Sequence, residues 1–271
     1  MAEPVYKTVR KFLHKDDGYL YTTPGVLIPI LSSINASLTG PITSVGNATS
    51  VASQTGTGST FVMNTAPTIA APVILGSATN GTTIEADGTA KFNGTGTIWN
   101  DANVGGMALG GPAANLPAEV KFLDEAGADT GIYTYGFSPP TDQVAGAIEI
   151  PHSYKEGSDI SFHVHWTGNT APAGGTDNVK WQLTYTVAQA GVTLDAVTTI
   201  VIETAITTQY GTYFSIFPTI IGTNFNMGDQ FLFRLTRIAA SADEYGGTAD
   251  VMTVGFHYEQ DTVGSRQITT K

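Results

Sequence analysis

The chain of 271 residues has no cysteine, which removes disulfides, thiolate catalysis and cysteine-based zinc sites from consideration. It is also poor in charge: 13% of its residues are charged, and 12 Lys and Arg stand against 23 Asp and Glu, for a formal net charge of -11. So few bases neutralise a run of phosphates only if they cluster, and nucleic acid is not an expected partner. No apolar run approaches the roughly 18 residues of a membrane-spanning helix, so no membrane insertion is expected. A Gly-x-Ser-x-Gly nucleophile elbow is missing. Neither Gly56-Thr57-Gly58-Ser59-Thr60 nor the stretch from Gly105-Gly106 to Gly110-Gly111 leads into the Gly-Lys-Ser/Thr of a phosphate loop, and these glycines read as turns or bulges. Lys7, Arg10, Lys11 and Lys15 ahead of the apolar Val26 to Leu31 imitate an export signal. Asp16, Asp17 and Pro29 interrupt it, and the chain reads as non-secreted.

What charge there is falls unevenly. Residues 1 to 17 hold four bases and three acids, while residues 18 to 84 hold no Asp, Glu, Lys or Arg at all. The uncharged stretch is rich in Thr, Ser, Gly, Ala and Asn with spaced Val and Ile. It lacks the bulky residues of a private core and the charge of an expanded disordered tail. Two readings fit it: a flexible linker, or an extended stalk whose short β segments are buried against identical segments of other chains. The small β-branched residues suit the second. The chain therefore divides into an N-terminal attachment segment (1–40), a stalk (41–95) and a β domain (96–271).

From Glu85 onward apolar and polar residues alternate with the period of two that marks a half-buried strand. Ile160, Phe162, Val164 and Trp166 share one face, with Ser161, His163, His165 and Thr167 on the other. Val179, Trp181, Leu183, Tyr185 and Val187 repeat the pattern, as do Phe231, Phe233 and Leu235, and then Met252, Val254, Phe256 and Tyr258. Strands are predicted near 146–151, 159–167, 178–188, 196–205, 210–221, 229–239 and 249–260, with one or two before them. After residue 18 no segment sustains a 3.6-residue period. The class is all-β, and the strand number suits a C-terminal antiparallel β-sandwich of jelly-roll type.

Two stretches carry a resemblance. Ser44 to Ser50 (SVGNATS) and Gly58 to Thr68 (GSTFVMNTAPT) resemble a connector of tail-fibre and other appendage proteins of tailed bacteriophages. Ala86-Asp87-Gly88-Thr89, Trp99-Asn100-Asp101, Pro151 to Ile160 (PHSYKEGSDI), His163-Val164-His165-Trp166 and Phe256 to Arg266 (FHYEQDTVGSR) resemble a family of phage virion proteins, many without an assigned role. The resemblance implies a structural virion component assembled in the bacterial cytoplasm. It would be a homotrimer that docks on other virion proteins through residues 1–40 and carries a distal β domain for host attachment. Tail fibre or short spike, and capsid decoration or head fibre, both remain open.

The sharpest chemical candidate is His163 with His165, since alternate strand residues point the same way and two imidazoles on one face suit a transition metal. On a threefold axis three such pairs would offer six nitrogens. Trimeric phage fibres hold iron with His-x-His pairs, a likeness of motif only. The competing reading is a metal-free polar pair on a sheet surface or subunit seam, with no cofactor at all. His257 also avoids the core face. No catalytic residue is expected. A polysaccharide depolymerase would need two carboxylates roughly 5 to 9.5 Å apart, and Glu149, Asp159, Asp177, Asp229 and Glu259 are scattered over strand ends. Tyr133, Tyr135 and Phe137 either stack on host-surface polysaccharide or form a strand's core face.

Overall fold

The computed structural model describes residues 73–77, 79–112 and 114–271, together with the backbone of four earlier strands. The remainder of the expected attachment segment and of the stalk up to residue 72 lies outside the described residues. The chain forms two units, Met1–Ile69 and Ala70–Lys271. In the first, β1 (Tyr19–Thr23) pairs antiparallel with β2 (Val26–Pro29), and β3 (Ile42–Val45) with β4 (Ala48–Val51). Gly46 and Asn47, the two residues between β3 and β4 in sequence, are of the types that two-residue hairpins favour.

The second unit begins with a three-stranded meander of β5 (Val73–Gly76), β6 (Gly81–Ile84) and β7 (Ala90–Asn93). Gly88, at φ 86°, supplies the left-handed residue in the turn joining β6 to β7, where Gly88 N–H donates to the Glu85 carbonyl. Residues 70–95, the end of the expected stalk, lie in the second unit. Phe92 N–H donates to the Asp261 carbonyl at 2.6 Å, and the Arg266 guanidinium meets Asp87 at 2.9 Å, so this small sheet is tied to the chain's C-terminal segment.

The strands that follow are β8 (Ile98–Gly105), β9 (Ala118–Leu123), β10 (Asp129–Phe137), β11 (Gln143–Glu149), β12 (Ile160–Gly168), β13 (Asp177–Ala188), β14 (Thr198–Ile206), β15 (Thr212–Ile216), β16 (Gln230–Ile238) and β17 (Ala249–Gln260). One sheet has six strands in the order β15-β12-β17-β10-β9, with β8 also paired to β17; the other has four, β11-β16-β13-β14. From β10 to β17 the chain crosses between the sheets at every step except the β13–β14 hairpin. The resulting orders, β10-β17-β12-β15 and β11-β16-β13-β14, are those of an eight-stranded jelly roll. The all-β sandwich is therefore as the alternation indicated, and β8 and β9 extend one sheet beyond the eight. β15 is shorter than the predicted 210–221. The ladder to β12 ends with Phe217 N–H donating to the Phe162 carbonyl at 2.9 Å and resumes, one residue out of step, in a single bridge between Ile160 and Ile220.

The core lies between the sheets. Ile160, Phe162, Val164 and Trp166 on β12 face Val179, Trp181 and Leu183 on β13 and Phe231, Phe233 and Leu235 on β16, all buried. The Phe162 ring lies 5.2 Å from that of Phe233, 5.7 Å from Phe217 and 5.8 Å from Phe231. Such pairs add about 0.5–1.5 kcal/mol each beyond the area they bury. On β17 the register shifts where His165 faces Thr253 but Trp166 faces Val251, a bulge that gives Val251, not Met252, the core place.

Candidate functional site

The outer face of the six-stranded sheet carries the histidines. Register fixes their neighbours: His163 on β12 lies opposite Ile216 of β15 on one side and Gly255 of β17 on the other. His257, two residues along β17, lies opposite Asp101 of β8. Gly255 has no side chain to separate them, so the His163 ring stacks on the His257 ring with centroids 4.5 Å apart and an angle of 28°. His165 stands edge-on to His163 at 5.1 Å and stacks on Phe214 at 4.5 Å. Phe214, His165, His163 and His257 thus form a row of rings across three strands.

His163 is wholly buried although it is on the outer face, and neither of its ring nitrogens has a hydrogen-bond partner. Burial pushes its pKa down to about 4; the Asp101 carboxylate pulls upward, and His257 and His165 push further down. The ring is therefore neutral near pH 7. His163 Nε2 lies 3.7 Å from Asp101 Oδ1. The sequence-predicted pair His163 and His165 is brought together, but among the described residues the metal-ligating atoms that gather within 4.8 Å of one another belong to Asp101, His163 and His257. Asp101 carried no signal for this beyond its place in a quoted motif, because its approach to His257 depends on a register between strands far apart in sequence.

The scattered carboxylates are engaged in local contacts, most of them to loops. Asp159 accepts from Gly222 N–H at 3.1 Å, Asp177 from Ala173 N–H at 2.9 Å and Asp229 from Asn226 N–H at 2.8 Å. Glu149 accepts from the Gln230 amide at 3.0 Å, and Glu259 pairs with Lys155. Ser265, His152 and Glu149 fall in a line that imitates a hydrolase triad, with Ser265 Oγ 2.6 Å from His152 Nδ1 and His152 Nε2 3.9 Å from Glu149. The Ser265 hydroxyl donates to the Gln267 carbonyl at 2.6 Å, so its proton points away from the imidazole that would have to take it.

The aromatic stretch on β10 divides by burial. Phe137 is a core residue against Trp181 at 5.2 Å, Tyr135 packs partly on the core, and Tyr133 is exposed with the Lys121 ammonium 5.3 Å from its ring centre. Of the three proposed sugar platforms, Tyr133 alone is free to act as one. Trp99 and Phe214 are also exposed; Trp99 stands opposite Glu259 on the outer face and Phe214 opposite His165. Among the described residues of this unit one open hollow of about 730 Å³ is lined by Glu149, His152, Glu156, Asn226 and Asp229.

No family model matches the chain, and no curated protein matches it. Among solved structures it is similar to a carbohydrate-binding module in complex with beta-1,4-galactotriose, at 14% identity and a TM-score of 0.26, over 62% of this chain and 88% of that one. A likeness that loose carries no argument about this chain's fold or ligand. Among the described residues no helix is long and apolar enough to cross a membrane.

Proposed function

We propose that the chain is a non-enzymatic structural protein of a bacteriophage virion, a trimeric fibre or short spike whose jelly roll adheres to polysaccharide on the host surface. The observation that carries the adhesive part is the open outer sheet face, where exposed Trp99 and Phe214 flank a strip bearing Asp101, Asn103, His257 and Glu259. Ring faces beside carboxylates and amides suit the mixed apolar and hydroxyl surface of a sugar. The structural contacts of the five candidate carboxylates support a role without hydrolysis. The quoted motifs support the virion assignment, and the uncharged stretch from residue 18 to 84 supports self-association. Many copies on one particle convert a weak single contact into avidity. Fold alone would not decide this, because jelly rolls serve unrelated functions.

The experiment is binding of the purified protein to host cells and to their isolated surface polysaccharide, with light scattering for its oligomeric state. The reading expects a trimer that binds and releases no sugar, and several-fold weaker binding for Trp99→Ala with unchanged melting. A stable monomer at micromolar concentration would remove the trimer. Release of oligosaccharides would favour a depolymerase, and no binding at all would remove the adhesive role. The position of the chain's density in a whole-particle reconstruction separates tail from head.

A further inference from the structure

The geometry points to a binding site for one divalent transition-metal ion, with zinc the best match, formed by Asp101, His163 and His257 on the outer face of the six-stranded sheet. The donor set comes first. Two imidazoles and a carboxylate are ligands of zinc and its neighbours, whereas calcium and magnesium take oxygen. These three come from three adjacent strands, β8, β17 and β12, at positions set by register: Asp101 opposite His257, and His163 one step diagonal across the gap at Gly255.

The decisive residue is His163. A neutral imidazole has one donor and one acceptor nitrogen, and here both are buried with no partner, an arrangement that is unfavourable when nothing compensates it. Its Nε2 lies 3.7 Å from Asp101 Oδ1. That is too long for a hydrogen bond, yet near the roughly 3.3–3.5 Å that separates two ligands of one tetrahedral ion with bonds of about 2.0–2.2 Å. All three donors lie within 4.8 Å of one another, and the Asp101 side chain, 35% exposed, has room to turn inward while the packed His163 stays fixed.

Three protein ligands leave a fourth position for water or for a donor from outside the chain. An ion there would clip β8 to β17 and β12, so the strand that leads into the jelly roll would be held by coordination as well as by its ladder. His165 is outside the set; its ring is turned onto Phe214. The site shares Asp101 and His257 with the strip offered to the sugar, but zinc binding is read without any sugar, so the two readings fail separately.

The test uses the full chain, without an affinity tag, dialysed against a chelator and then titrated with zinc chloride while melting temperature and bound zinc are read. The expected result is one ion per chain, a higher melting temperature, and shifted ring-nitrogen resonances for His163 and His257. Asp101→Asn and His257→Gln should each weaken binding about tenfold or more. His163→Phe keeps a stacked ring without nitrogens and should fold yet lose the zinc response, while His165→Ala keeps it. Failure of the intact chain to bind zinc at micromolar concentration would overturn the proposal. So would binding that survives both Asp101→Asn and His257→Gln, or that is lost in His165→Ala, which would return the site to the His163 and His165 pair.

Discussion

Arg237 donates to Glu244 at 2.8 Å with its own side chain wholly buried. It follows Phe231, Phe233 and Leu235 on the inward face of β16, so the alternation that builds the core ends on a guanidinium. The fork also donates to the carbonyls of Phe137 and Gly247, each at 2.7 Å, and to that of Tyr245. One cation thereby ties the end of β10 to the segment between β16 and β17.

Removing one member of such a buried set leaves acceptors without donors. Arg237→Met should lower stability by about 3–5 kcal/mol, and Arg237→Lys should recover only part of that, because a single ammonium cannot match the planar fork. Urea denaturation of the two variants beside the parent chain measures both. Equal stability of the methionine variant and the parent would show that the fork contributes nothing net.

Asp250 is buried, and the loss of hydration raises its pKa to about 6, against the lowering influence of the Thr248 hydroxyl and of Arg237. A carboxyl that binds its proton more tightly when folded favours the fold below pH 4. That contribution is lost as pH rises from about 4 to 6, at about 1.4 kcal/mol per unit of raised pKa. Asp250→Asn should therefore gain about 3 kcal/mol relative to the parent between pH 4 and pH 7. Melts of the pair across that range should diverge in this direction, and a constant difference would contradict it.

Gly255 lies opposite Asn103 of β8, with no room for a side chain between the strands. A Cβ there would meet the Ala102 carbonyl oxygen at 2.4 Å and the Asn103 Cβ at 2.8 Å. Gly255→Ala should push β8 outward, with a cost of about 1–3 kcal/mol from overpacking, faster amide exchange along Ile98 to Gly105, and a loosened stack between His163 and His257. Exchange confined to other strands would show that β8 absorbs the added methyl group.

Phe162 touches three aromatic rings at the centre of the sandwich. Phe162→Ala should cost about 3–5 kcal/mol, and Phe162→Leu less, since it leaves a smaller cavity. Chemical denaturation of both variants gives the order, and a leucine variant weaker than the alanine variant would reverse it.

Much of the fold was legible in the residues. The period of two is set by neighbours in the chain, so the faces of β12, β13 and β16 could be assigned before any pairing was known, and their core residues are those with the larger side chains. Phe137 and Arg237 were harder. Both lie on inward faces and are buried, but for Phe137 alternation leaves core packing and sugar stacking both open, and for Arg237 it does not say which carbonyls and carboxylate receive the guanidinium. Whether a side chain at a sheet's end meets water depends on what the next loop covers. The bulge on β17 shows the same limit, since one inserted residue moved Val251 into the place that alternation gave to Met252.

Composition and alternation by themselves determined that the chain is all-β, that it has no thiol chemistry and that its core is aromatic and β-branched. Tertiary structure alone decided the jelly-roll order, the docking of β5 to β7 on the C-terminal segment and the gathering of Asp101 and His257 around His163. The physical reason is one of range. Local patterning follows from which residues avoid water, whereas register and strand order are set by the packing free energy of segments far apart in sequence, and it is register that places three metal-ligating side chains on adjacent strands.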